Sequence, residues 1–133
     1  MKTTLLITST AFAFVCSYFF NLAIENSDQY LAVVAIIFMD GFFGVIAGTK
    51  REGFKTYKAV KILKTLVAWI VTLTVLIMVE AGFKGTSWLS ETILIPLIIF
   101  QVISALKNAE QAGFIKNEAL TTILDKIDKH KEK

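Results

Sequence analysis

Few side chains in this sequence are suited to acid–base, nucleophilic or metal chemistry, and none of them cluster. Asp40 stands alone inside an apolar, glycine-spaced run, AIIFMDGFFGVIAG. Glu80 and Glu91 lie toward the ends of two later apolar runs, Cys16 lies within the first, and the only histidine, His130, is in a charged tail. A single cysteine supplies neither an intrachain disulfide nor a multi-cysteine metal site. There is no H-x-x-x-H pair, no G-x-S-x-G elbow and no Walker-type loop. The sequence therefore offers no catalytic residue, no metal site and no cofactor site, and the protein is expected not to be an enzyme. Gly41, Gly44 and Gly48 recur at spacings of three and four. Such spacing marks a helix face, not a phosphate cradle.

The elements that must carry Asp40 follow from composition. Over 133 residues, 55% are hydrophobic and mean hydropathy is +0.63. A chain this short cannot hide so much apolar surface from water. It reads as one all-α integral membrane domain over residues 1–133. Four runs are long enough to span, at about 3–24, 30–48, 65–83 and 88–106, since roughly 20 apolar residues suffice. The first is expected to be a retained span, not a signal peptide: it exceeds a usual apolar leader core, and bulky Phe12, Phe14, Tyr18, Phe19 and Phe20 run through any cleavage site.

Charge sets the orientation. The turn after the first run holds Glu25 and Asp28 and no cation. The connection after the second holds Lys50, Arg51, Lys55, Lys58, Lys61 and Lys64 against Glu52 alone, and the tail is rich in lysine. Positive loops stay in the cytoplasm, so both termini are expected inside. The six cations are read as topology signals and as contacts for lipid headgroups, not as a nucleic-acid surface, because no soluble reader domain accompanies them. Phe54, Tyr57, Val60 and Leu63 alternate with the lysines, which suits either a short interfacial helix or a solvated loop. Leu120, Ile123, Leu124 and Ile127 predict an amphipathic cytoplasmic helix over about 117–130, N-capped by Asn117.

An ionised acid in mid-span costs on the order of 3 kcal/mol. Protonation, a partner on a neighbouring helix, or a water-filled path each relieves that cost. Asp40, Gly44 and Ala47 share one helical stripe, so the acid is expected to face protein. With Gly41 and Gly48 they form a small-residue surface for close helix contact, within a subunit or between subunits. A relay would want a second buried acid or histidine, and none is present. Glu80 and Glu91 are expected to be solvated at the outer interface, and Pro96 to kink the fourth span.

The arrangement resembles the bacteriophage holin family, which includes toxin-secretion holins. The likeness rests on IIFMDGFFGVIAGTKREGFKTYK, on KAVKILKTLVAWIV, and on QVISALKNAEQAG after the last span. In the third stretch Ser104, Asn108 and Gly113 match the pattern, while Gln101 and Lys107 stand where relatives tend to carry acids. The resemblance implies a pore-forming lysis protein of the bacterial inner membrane that homo-oligomerises. The lesion it forms would let an endolysin or an exported toxin pass during host cell lysis. The alternative is a small non-enzymatic membrane subunit that anchors, or forms a channel in, a larger apparatus.

Overall fold

The computed structural model describes residues 1–133 and is all-helical, with no strand. Five helices follow in order: α1 (Lys2–Glu25), α2 (Ser27–Glu52), α3 (Thr56–Gly82), α4 (Leu89–Gln111) and α5 (Asn117–Lys131). A short 3-10 turn, Lys84–Thr86, joins α3 to α4. The first four helical segments are long and apolar enough to cross a membrane. The chain divides into two compact units, Met1–Leu31 and Ala32–Lys133.

In the first unit, α1 is 24 residues long, about 36 Å at 1.5 Å per residue, enough for a hydrocarbon core of roughly 30 Å. Three of its hydroxyls are satisfied locally. Thr8 and Thr10 donate to the carbonyls of Thr4 and Leu6, and Ser9 donates to Leu6. Hydroxyls kept on the helix's own backbone present no orphan donor to lipid. Asn26 ends α1, its side-chain amide and its backbone N–H both donating to the Leu22 carbonyl.

The second unit is built on α2, α3 and α4. Its buried apolar residues include Val33, Ile37 and Ala47 of α2, Leu73 and Ile77 of α3, and Leu94, Ala105 and Ala109 of α4. Along α2 the inward positions Val33, Ile37, Asp40, Gly44 and Ala47 alternate in steps of four and three, the spacing of a helix–helix seam. The seam is apolar where Val33 and Ile37 meet Trp69, Leu97 and Ile98. Farther along it becomes small and polar.

The α3–α4 hairpin closes tightly. Phe83 N–H donates to the Val79 carbonyl, and Trp88 Nε1–H donates to the Gly85 carbonyl at 3.0 Å. Glu80, expected to be solvated, instead accepts the Ser90 backbone N–H at 2.6 Å. Ser90 is 1% exposed, so a carboxylate at the end of one helix satisfies an orphan donor at the start of the next. α4 continues through Pro96, which removes one donor from its ladder.

The basic stretch is neither a separate interfacial helix nor a loop, because α3 begins at Thr56 and runs unbroken to Gly82. No glycine or proline interrupts the sequence between those ends, so nothing stops the helix at the charged-to-apolar change. α4 ends at Gln111 with Ala112 as its C-cap, and Gly113 follows with a φ of +88°, open to glycine but strained for other residues. Phe114 N–H donates to the Ala109 carbonyl across that turn, satisfying a terminal acceptor. α5 begins at Asn117, so the expected cap is the first helical residue, and Lys116 holds the N-cap position without a side-chain bond. It packs on α4, burying Leu120 and setting Lys131 Nζ 5.6 Å from the centre of the Phe100 ring.

A polar seam between three helices as candidate functional site

Asp40 and Asn108 come from stretches 68 residues apart, yet the Asn108 side-chain amide donates to Asp40 Oδ1 at 2.8 Å. Glycine makes this possible. A Cβ placed on Gly44 would stand 3.3 Å from Asn108 Nδ2, so a larger residue there would press the amide out of reach. Gly41 and Gly48 face side chains of α3 in the same way: an added Cβ would lie 2.8 Å from Ile62 and 2.7 Å from Lys58 Nζ. Ala47, between them, is 1% exposed. The small-residue surface of α2 is thus a row of sockets filled by Ile62, Asn108 and Lys58 of the same chain.

Beside this contact lies a cleft of about 390 Å³ between α2, α3 and α4. Asp40, Thr65, Gln101, Ser104 and Asn108 contribute its polar floor, and Arg51, Lys58 and Lys61 its cationic rim. Ser104 and Asn108 therefore meet Asp40 in one place, although the sequence presents them as separate motifs. Gln101 lines the same wall. An acid there would have placed a second carboxylate in the cleft with Asp40; the amide spares the chain that repulsion. Lys107 is exposed.

The six cations differ in their placement. Lys50 Nζ donates to the Ala112 carbonyl at the C-terminal end of α4, where a cation favours the exposed carbonyls. It also stands next to Gly113. Lys55 and Lys58 approach Glu52 Oε2 at 3.1 Å and 3.5 Å. The hydrogen bond from Lys55, then its charge, holds the Glu52 carboxyl below the usual carboxylate range, and the same bond raises the Lys55 ammonium. Both groups are open to solvent, so the pair adds little to stability. Lys61 and Arg51 line the cleft without an ion pair, and Lys64 is exposed. A spacing of three drifts by about 60° per step around a 3.6-residue helix. Hence the lysines spread around α3 instead of sharing one face.

The register between helices also fixes the level of the acid. Counted along α2 alone, Asp40 is central in its apolar run. Counted across the unit, it is level with Asn108 and adjoins Gly41, which meets Ile62. Asn108 and Ile62 stand just outside the apolar runs of α4 and α3. No group of three His, Cys, Asp or Glu side chains is assembled in a way that would hold a metal.

The structure thus combines four long apolar helices, a polar contact shared by α2 and α4, and a basic connection between α2 and α3. A model of the bacteriophage holin family matches residues 10–129. The chain belongs to the bacteriophage holin family. The match takes in α2, α3 and α4 whole and most of α1 and α5, so the polar seam lies inside the family domain. No curated protein and no solved structure matches the chain. It is a multi-pass membrane protein of holin type.

Two contributors were not visible as site residues in the sequence. Ile62 reads as one apolar residue of a basic segment, and only the collision geometry at Gly41 gives it a role. Glu80 carries no local capping signal, because its partner lies ten residues on, across the turn.

Proposed function

We propose that this protein acts as a holin in the bacterial inner membrane. With both termini in the cytoplasm, it accumulates, oligomerises and opens a lesion through which an endolysin, or in toxin clusters a large toxin, passes. It carries out no reaction of its own. The observation that supports the reading is the Asp40–Asn108 contact beside a polar cleft of about 390 Å³ in a protein of largely apolar helices. Intramembrane polar groups are expensive and tend to face protein or water.

In this reading the sockets at Gly41, Gly44 and Gly48 are the switchable contacts. Filled from within the chain, they close the subunit. Helices in lipid associate through packing and interhelical hydrogen bonds, without a hydrophobic drive. A neighbouring subunit can therefore take over these contacts at little net change in burial. The exchange would turn Asp40, Gln101, Ser104 and Asn108 toward a water-filled lesion. The cations from Lys50 to Lys64 hold the connection inside, as positive loops do.

The test is regulated expression in a bacterium with and without a co-expressed endolysin. Wild type should halt growth alone and produce abrupt lysis with endolysin. Asp40→Leu should reach the membrane in equal amount and lose abrupt lysis. Indefinite tolerance of the wild type would overturn the lysis reading, and unchanged lysis by Asp40→Leu would remove the acid from the mechanism.

A further inference from the structure

Helix packing accounts for Lys58, which sits against Gly48, but not for Arg51 and Lys61 at the rim of the cleft. Arg51 and Lys61 are exposed at its mouth and make no ion pair, while Lys58 is shared only with half-exposed Glu52. Tyr57 adds a phenol to the same rim. The lining thus carries three cations and one carboxylate, Asp40, which already accepts the Asn108 amide, and with Glu52 set against Lys58 one positive charge is still in excess. The cleft's volume of about 390 Å³ falls in the usual range for a small-ligand site, roughly 300–1,000 Å³. Its donors and excess positive charge call for an anion with several acceptor oxygens, which is the chemistry of a phosphate.

The surroundings select the source of that phosphate. The wall formed by Gly41, Val45 and Ile62 is shared with an apolar groove of about 430 Å³, flanked by Phe38, Phe42 and Leu66. Charged mouth and apolar groove therefore adjoin at the end of three apolar helices, as headgroup and acyl chain adjoin in a lipid. Basic pockets between membrane helices on the cytoplasmic side hold anionic headgroups in this manner. We propose that the cleft between α2, α3 and α4 binds the headgroup phosphate of one anionic phospholipid through Arg51, Lys58 and Lys61. The site goes beyond the lysis reading and stands without it, since it requires only the closed subunit.

Native mass spectrometry of the full chain in non-ionic detergent tests the site directly, with phosphatidylglycerol and phosphatidylcholine added separately. One phosphatidylglycerol should be retained per chain, about tenfold more tightly than phosphatidylcholine, given the usual contribution of each basic residue. Arg51→Gln and Lys61→Gln should each weaken retention about fivefold. Lys133→Gln removes the same charge at the far end of the chain and should leave retention unchanged. Millimolar inorganic phosphate should not displace the lipid. Equal retention of the two lipids, or equal effects of Lys61→Gln and Lys133→Gln, would overturn the proposal. Displacement by inorganic phosphate would refute the lipid as occupant and leave a free-phosphate site. None of these readouts depends on lysis.

Discussion

Removing Asp40 and Asn108 singly and together measures the one polar contact that joins the two motifs. The donor–acceptor distance is 2.8 Å, and a hydrogen bond to a charged group is worth about 1.5–3 kcal/mol in water-soluble proteins. Two features reduce that value here. Interhelical hydrogen bonds in a membrane protein average about 0.6 kcal/mol and reach about 1.7 kcal/mol, because unfolded helices find other partners in the bilayer. The contact also borders an open cleft, so each group left behind can be hydrated. The expected coupling between Asp40→Ala and Asn108→Ala is about 1 kcal/mol, near the upper part of the membrane range because the acceptor is a carboxylate.

The assay is reversible unfolding in mixed micelles of rising dodecyl sulfate content. Trp69 serves as the reporter, since it lines the gap between Val33 and Leu97. Trp88→Phe removes the second indole, which is exposed and outside the seam. Each single variant should lower stability, and the double variant should lose less than the sum. A coupling within about 0.3 kcal/mol of zero, the usual scatter of independent sites, would refute the reasoning. It would mean that Asp40 is held by hydration or by the cleft's cations, with Asn108 merely adjacent.

Gly113→Ala forces a left-handed backbone onto a residue with a Cβ and crowds Lys50 Nζ at 3.3 Å. A loss of about 1–2 kcal/mol in the same titration is expected, with earlier proteolytic cutting between α4 and α5; unchanged cutting would count against the turn as the hinge of α5. Glu80→Ala removes the acceptor of the buried Ser90 N–H. It should lower stability by about 1–2 kcal/mol and speed hydrogen exchange at that amide, with Glu80→Gln falling between. Exchange as slow as in the wild type would show that the cap is dispensable.

The helical plan was legible because its signal is summed over many residues. Four apolar runs and the 3.6-residue period of α5 survive any single substitution, and the family likeness rests on the order of three short motifs. What a sequence period cannot convey is which partner fills a socket. Gly41, Gly44 and Gly48 announce close contact, but Ile62, Asn108 and Lys58 are specified only by the register of α3 and α4 against α2. The basic segment was obscured for a different reason. Its lysines suggested an element separate from the span, whereas helix continuity depends on the absence of breakers and is indifferent to the change from charged to apolar.

The level of Asp40 shows how far register can alter a physical reading. Taken along α2 alone, the acid faces the full penalty of a charge at the bilayer centre, and protonation or a relay becomes attractive. Its tie to Asn108, and the contact of neighbouring Gly41 with Ile62, set it level with residues outside the apolar runs of α4 and α3. At that level Asp40 accepts the Asn108 amide and shares a cleft with Lys61 and Arg51, so it has polar partners in place of lipid. The acid then needs no transport chemistry to justify it. Its hydrogen bond with Asn108 joins α2 to α4 beside a polar opening, and under the proposed function this is the contact that a neighbouring subunit takes over.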